Sequence, residues 1–226
     1  MAGLKLAIFD VDGTLIDSLA HIKGAMHDAF VACDLAAPTE REVRGIIGLS
    51  LFEAVDRLYP GLEEARVDAV VEAYKASFMK TRETQTTDAT APLFPGARAI
   101  LEQLQSRDTL LLAVATGKSR RGLVKMLEAH ALEGVFVSTQ VADDHPSKPN
   151  PSMVRQCLLE TGVEAHDAVM IGDTTFDLEM GRSAGVKTVG VDWGYHDTDA
   201  LRPFADEIIF EFDTLPGALD KLWGDR

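Results

Sequence analysis

Cysteine is scarce in this 226-residue chain. Cys33 and Cys157 lie far apart and form no CxxC pair, which argues against both a disulfide framework and a zinc cluster. Both read as reduced core residues. Basic residues are few as well. Twenty-two Lys and Arg against 36 Asp and Glu leave a formal charge of -14, a field that repels nucleic acid and anionic membrane surfaces rather than recruiting them. No apolar stretch reaches the roughly 18 uninterrupted residues needed to span a bilayer. The amino terminus lacks the basic, then apolar, then small-residue pattern of an export signal, so a cytoplasmic protein is expected. The six histidines show no metal-ligand spacing, and no internal repeat or low-complexity tract is visible.

What is present suits one large or two small globular domains, with 46% hydrophobic residues to fill them. The apolar runs are short: Leu4 to Phe9, Leu110 to Ala115, Val135 to Val141, Ala168 to Ile171, Thr188 to Val191 and Glu207 to Phe210. These read as strands. Helical patterns fall between most of the later ones, at Ala97 to Leu104, Gly122 to Ala129, Ser152 to Glu160 and Leu178 to Ala184. The alternation predicts an α/β fold, a Rossmann-like doubly wound parallel sheet covered on both faces.

Between the first two strands the pattern is helical throughout. Leu19, Ile22, Met26, Ala29, Phe30 and Cys33 recur at helical spacing. Thr39 with Glu42, and Ser50 with Glu53, each fit a capping box that opens a helix. A longer helix is expected from Glu63 to about Arg82. The polar stretch Gln85 to Ala91, followed by Pro92 and Pro95-Gly96, suits a hinge. The expected organisation is an α/β core of residues 1–16 and 91–226, with a helical domain inserted at 17–90.

The chemistry gathers where strands end, the ligand crevice of an open parallel sheet. The first strand runs into Asp10-Val11-Asp12-Gly13-Thr14. Its two carboxylates can project toward one site, and Gly13 lets the backbone turn and approach a ligand. A calcium loop is the plainer alternative, but an EF-hand begun at Asp10 would need Gly and Glu where Leu15 and His21 stand. The second strand ends in Ala115-Thr116-Gly117-Lys118-Ser119, which offers a hydroxyl and free N–H groups to an anion near a helix start. A Walker A loop would need glycine where Leu112 stands, and an ordinary capped turn explains this stretch taken alone. After the third strand, two prolines stiffen the chain around Lys148. A lone loop lysine is ordinarily solvated, yet this one follows a strand end of the same sheet. After the fourth comes Gly172-Asp173-Thr174-Thr175-Phe176-Asp177, where both carboxylates can face the crevice and N-capping accounts for one of them.

Taken in order along nearly the whole chain, Asp10-x-Asp12-x-Thr14, Thr116, Lys148 and Gly172-Asp173-x-x-x-Asp177 resemble the haloacid dehalogenase superfamily. The likeness is to its phosphatase branch with a helical cap inserted after the first motif. The resemblance implies that Asp10 is the nucleophile and Asp12 the general acid and base. Dehalogenases proper lack the second aspartate, so Asp12 favours phosphoryl transfer over carbon–halogen cleavage. A carboxylate attacking a phosphate dianion meets repulsion, so positive charge must be concentrated on the transferring group. Magnesium is the implied cofactor, held by Asp10, the backbone carbonyl of Asp12 and Asp173, with Asp177 supporting the shell. Lys148 would neutralise Asp10 and a phosphate oxygen, while Thr116 and the Gly117 N–H would hold other oxygens.

Substrate choice is expected in the cap. Arg44 in the segment Arg44 to Leu51 is a candidate anion contact, with a solvated helix surface as the alternative. In β-phosphoglucomutases an arginine, and in phosphonoacetaldehyde hydrolases a lysine, stands at the place that aligns with Leu51, so both activities lose support. The Gly172 to Asp177 wording, Gly48-Leu49 and Asp192-Trp193-Gly194-Tyr195 are most similar to phosphoglycolate phosphatases and related pyrophosphatases. Trp193 and Tyr195 can line the pocket or pack in the core. The expected partner is a small soluble phosphate ester, 2-phosphoglycolate first, with pyrophosphate, sugar phosphates and nucleotides as alternatives. Nucleic acid and membrane are not expected, and the chain would be a monomer or homodimer. From other classes, a phospho-accepting receiver shares the strand-end residues but is shorter and lacks the helical block. A silent binding protein should have lost part of the charge constellation.

Overall fold

The computed structural model describes residues 3–84 and 90–224. Most of the expected hinge, Gln85 to Ala91, lies outside the described residues. Six strands, β1 (Lys5–Phe9), β2 (Leu110–Thr116), β3 (Ser138–Val141), β4 (Ala168–Gly172), β5 (Lys187–Val191) and β6 (Glu207–Ile209), form one sheet in the order β3-β2-β1-β4-β5-β6. Every neighbouring pair is parallel. Alternation along each strand divides the core. Ala7, Phe9, Leu112, Val114, Val169 and Ile171 face α5 (Ala97–Gln105), α6 (Arg120–Ala129) and α10 (Leu215–Trp223). Leu6, Ile8, Ala113, Ala115 and Met170 face α7 (Ser152–Thr161) and α8 (Thr175–Ala184). A single helical turn, α9 (Thr198–Leu201), lies between β5 and β6.

The strand order reverses beside β1. The carboxyl ends of β1, β2 and β4 therefore open onto one crevice, the topological switch point of a doubly wound sheet.

Between β1 and β2 stand α1 (Leu19–Ala32), α2 (Glu40–Arg44), α3 (Leu51–Leu58) and α4 (Glu64–Thr84). They share their own apolar cluster, built on Met26, Phe30, Ile46, Val55, Val67 and Val70, which Phe176 and Tyr195 join from the sheet side. The chain leaves the sheet and returns to it side by side: Asp17 N–H donates to the Pro92 carbonyl at 2.8 Å, and Phe94 N–H to the Leu15 carbonyl at 2.9 Å. No helix among the described residues is long and apolar enough to cross a membrane.

Several local expectations are corrected. The Thr39 capping box is present, but Ser50 makes no side-chain cap although its backbone has the extended geometry of an N-cap. The Ser50 N–H, which Glu53 would have engaged, donates instead to Ser147 Oγ at 2.8 Å. Val135 to Val137 precede β3 rather than belong to it, because the chain turns at Gly134 with φ of 77° and Phe136 packs against the Phe9 ring. Helices α6 and α8 begin two or three residues earlier than the apolar pattern shows, where Ser119 and Thr174 cap them. Both cysteines are free; Cys157 is buried and Cys33 half-buried.

Candidate active site

Asp10 is the first residue beyond β1, and its N–H continues the sheet by donating to the Ile171 carbonyl at 3.0 Å. The chain then turns back on itself, with the N–H groups of Leu15 and Ile16 both donating to the Val11 carbonyl. Gly13 permits this turn with φ of 89°. A Cβ there would also sit 2.2 Å from Asp173 Oδ2, so any side chain would displace that carboxylate.

Lys148 arrives from the loop after β3 and is 1% exposed. Its Nζ donates to Asp10 Oδ1 at 2.7 Å and to Asp177 Oδ1 at 2.6 Å. The other oxygen of Asp177 accepts from Thr174 N–H at 3.0 Å and from its hydroxyl at 2.7 Å, closing a capping box on α8. Capping and lysine binding are thus performed by one carboxylate. Asp173 lies alongside: Oδ1 accepts from the Thr14 hydroxyl at 2.9 Å and Oδ2 from Tyr195 N–H at 2.9 Å. Asp10 Oδ2 is buried with no hydrogen-bond partner.

Carboxylate oxygens of Asp10, Asp173 and Asp177 lie within 4.8 Å of one another. Fully ionised, these three buried carboxylates beside the one ammonium of Lys148, which bonds Asp10 and Asp177, would carry an excess of two negative charges in a desolvated site. Burial pushes the Asp10 carboxyl up to about 7 even though the Lys148 charge pulls it down. Asp173 is raised well above the usual carboxylate range by burial and then by the charges of Asp177 and Asp10. Burial opposes the Lys148 charge, but Asp10 and Asp177 more than offset it and raise its pKa. An all-oxygen donor set with unbalanced negative charge fits a hard divalent cation.

Asp12 stands at the cavity side of the same turn. Lys118 Nζ donates to its two oxygens at 2.6 and 2.8 Å, and the Ser18 hydroxyl to one of them at 2.5 Å. Ser18 N–H in turn donates to Tyr195 Oη at 2.9 Å. Burial, then the Asp12 charge, raise the Tyr195 phenol above its ordinary range. Tyr195 therefore spans the two carboxylate groups, its N–H on Asp173 and its hydroxyl in the Asp12 network.

These residues open into a cavity of about 390 Å³ lined on the sheet side by Asp10, Asp12, Thr116, Gly117 and Lys118. Asp173, Asp177 and Lys148 lie behind that lining. A Cβ on Gly117 would come within 2.6 Å of the Gly48 carbonyl, so the loop after β2 meets the helical block backbone to backbone.

Of the residues singled out from sequence, Asp10, Asp12, Thr116, Gly117, Lys148, Asp173 and Asp177 converge here. Arg44 does not. It is absent from the cavity lining; its Nε lies 3.4 Å from Glu40 Oε1, and its guanidinium sits 5.9 Å from the centre of the Tyr195 ring. Trp193 packs in the core instead, donating to the Thr14 carbonyl and lying 4.4 Å from the Phe212 ring. Sequence reasoning passed over Ser18 and Lys118. The position of Lys118 two residues beyond Thr116, at a strand end, was the available signal; Ser18 offered none.

A model of the haloacid dehalogenase-like hydrolase family matches residues 7–191. IndB of Dickeya dadantii, named as a probable phosphatase, is 37% identical over 223 residues, covering 96% of this chain and 94% of that protein. A phosphoglycolate phosphatase of Agrobacterium fabrum is 27% identical, covering 96% and 93%. A solved hydrolase from Pseudomonas syringae shares the fold with a TM-score of 0.83 at 22% identity, over 96% of this chain and 98% of that one. With its strand order and the bulk of its length accounted for in this way, the chain belongs to the haloacid dehalogenase-like hydrolase family.

Proposed function

We propose that the protein is a cytoplasmic, magnesium-dependent phosphatase that hydrolyses a small soluble phosphate monoester through an aspartyl phosphate on Asp10. Residues 17–90 form the cap over a core of 1–16 and 91–226. The observation that carries this reading is the state of Asp10: one oxygen is fixed by Lys148, and the other is buried without a partner at the floor of the cavity.

Asp10, the Asp12 carbonyl and Asp173 are the groups assigned to magnesium, with Asp177 holding Lys148 and the start of α8. When bound, the ion supplies positive charge to the phosphoryl oxygens. Lys148 fixes the orientation of Asp10, and its charge offsets part of the repulsion between carboxylate and phosphate. Thr116 and the Gly117 N–H hold the phosphoryl oxygens facing the β2 loop. Asp10 Oδ2 then bonds to phosphorus as the ester P–O bond breaks, and Asp12 gives its proton to the departing alkoxide. In the second step a water attacks the phosphorus of the aspartyl phosphate and gives a proton to Asp12. Inorganic phosphate leaves, and the Asp10 carboxylate is restored. Lys118 engages both Asp12 oxygens, so it must release at least one before Asp12 can offer a proton to the leaving oxygen.

The test is phosphate release from 2-phosphoglycolate, pyrophosphate, sugar phosphates and nucleotides, with magnesium and with chelator, ranked by kcat/KM. Magnesium-dependent turnover of at least one ester is expected. A stable phosphoprotein without turnover would instead support a receiver, and no reaction with any ester would support a silent binding protein. 2-Phosphoglycolate is the candidate that the name of the Agrobacterium relative brings forward; it places a second anion in the leaving group.

A further inference from the structure

The cavity has two unlike walls. Opposite the aspartates stand side chains from the helical block, among them Ile22, Met26, Ile47, Leu51, Tyr74 and Phe78. Met26 and Ile47 are 1% and 4% exposed, held in the cluster that knits α1 to α4 together, so this wall is fixed by packing. It also carries aromatic faces in register. Phe78 stacks on His21 with centroids 3.8 Å apart and planes 14° from parallel, and on Tyr74, one turn earlier in α4, at 5.6 Å and 29°.

Three of the four cations among the lining residues come from the other side. Lys118, Arg121 and Lys125 belong to α6 or the loop before it, on the sheet side. Lys75 comes from α4, but its ammonium is exposed and pairs with Glu72 at 2.7 Å. Arg44, the cap cation that the sequence suggested, lies outside the cavity. A leaving group bearing a carboxylate or second phosphate against this wall would exchange water for hydrocarbon, with Lys75, itself paired to Glu72, as the cation on that side. An apolar ring would gain from the same exchange, and a cavity of about 390 Å³ has room for one.

We infer that the site takes phosphate monoesters whose organic part is an uncharged, ring-sized apolar group seated on the Met26, Ile47, Tyr74 and Phe78 wall, in preference to glycolate or pyrophosphate. This inference rests on the phosphatase reading and narrows it. The phosphoryl group occupies the Asp10 end, and the organic part lies against α1, α4 and the turn between α2 and α3.

The experiment compares 2-phenylethyl phosphate, ethyl phosphate and 2-phosphoglycolate on the full chain with magnesium. The first two release primary alcohols of similar acidity, so their ratio reports the wall rather than the leaving group's reactivity. Burying the ring is expected to raise kcat/KM about tenfold or more over ethyl phosphate, and 2-phosphoglycolate should rank below the phenylethyl ester. Phe78→Ala should reduce the phenylethyl-to-ethyl ratio by about fivefold or more. Calorimetry of the native protein with 2-phenylethylphosphonate and ethylphosphonate, neither of which can be hydrolysed, gives a second measure that needs no variant to fold and no turnover. Equal rates for the two alkyl esters with equal binding of the phosphonates, or a preference for 2-phosphoglycolate, would overturn the inference and leave the phosphatase reading standing. Preferential binding of the phenyl phosphonate with no hydrolysis of any ester would sustain the apolar site and overturn the phosphatase reading instead.

Discussion

The two walls of the cavity are made by different means. The sheet wall is polar and charged, and its carboxylates are oriented by hydrogen bonds from Lys148, Lys118 and Ser18 on loops that follow parallel strands. The helical wall is mainly apolar, and most of its side chains belong to, or pack against, the cluster that joins α1 to α4. Hydrogen bonds to charged groups are directional and fail abruptly when a partner is lost, whereas apolar packing degrades by degrees. On the proposed function, bond-making falls to one side and selection to the other.

The harshest way to strain that comparison is Asp10→Asn. Steady-state turnover is expected to fall at least about a thousandfold, because the amide is a poor nucleophile and carries no charge. Mass spectrometry should exclude deamidation, and circular dichroism should remain native; a rate near that of the native enzyme would remove Asp10 from its role. Next in size is Lys148→Met, which leaves buried carboxylates unpaired. Breaking a buried ion pair from one side costs about 3–5 kcal/mol, read as a lower urea midpoint, and adding magnesium should recover part of it.

A third prediction concerns pH. Asp10 titrates at about 7 in the folded chain, above its unfolded value of 3.8, so the folded state binds more protons in between. The stability this contributes is fully present below pH 3.8 and is lost as pH rises through 7. A divalent cation held by these carboxylates would favour the ionised form of Asp10 that burial disfavours, so the rise in Tm on adding magnesium should be larger at pH 8 than at pH 5.5. A binding ligand at a hundred times its Kd contributes about 2.7 kcal/mol; an equal rise at both pH values would detach Asp10 from the cation.

The smallest effects belong to the helical side. Thr39→Ala removes the hydroxyl that accepts from Glu42 N–H, while the residue-39 N–H keeps Glu42 as its acceptor, and should cost about 1 kcal/mol, without altering kcat for ethyl phosphate. Ser50→Ala, at a position with no side-chain cap, should cost no more than a few tenths. Equal losses in thermal melts would mean that the two helix starts are not distinguished as described.

The sheet and its charged site were legible in sequence because their signals are local. Most strands are short apolar runs, β3 with its Ser138, Thr139 and Gln140 being the exception, and Asp10, Thr116, Lys148 and Asp173 each stand at a strand's carboxyl end or in the loop beyond. What escaped depends on partners far along the chain. Ser50 looks like a capping residue until Ser147, 97 positions away, takes its N–H. Ser18 gains its place from Tyr195, 177 positions on. The apolar wall was hidden for another reason. Ile22 and Met26 fall on the same helical stripe as the residues that fill the core, and periodicity cannot tell a side chain that packs from one that packs and also borders a cavity.

The antiparallel crossing at Asp17 and Pro92 has a consequence for how such proteins diversify. Because outgoing and returning segments are tied to each other, the helical insert leaves and rejoins the sheet at one place, and it meets the sheet side again through Ser50, Gly48 and the cluster that holds Phe176 and Tyr195. Another block of different length, helix number or wall chemistry could be joined at that crossing, provided that it keeps a partner for Ser147 beside Lys148. Selectivity can then change by exchange of a cassette while the phosphoryl-handling floor is inherited intact.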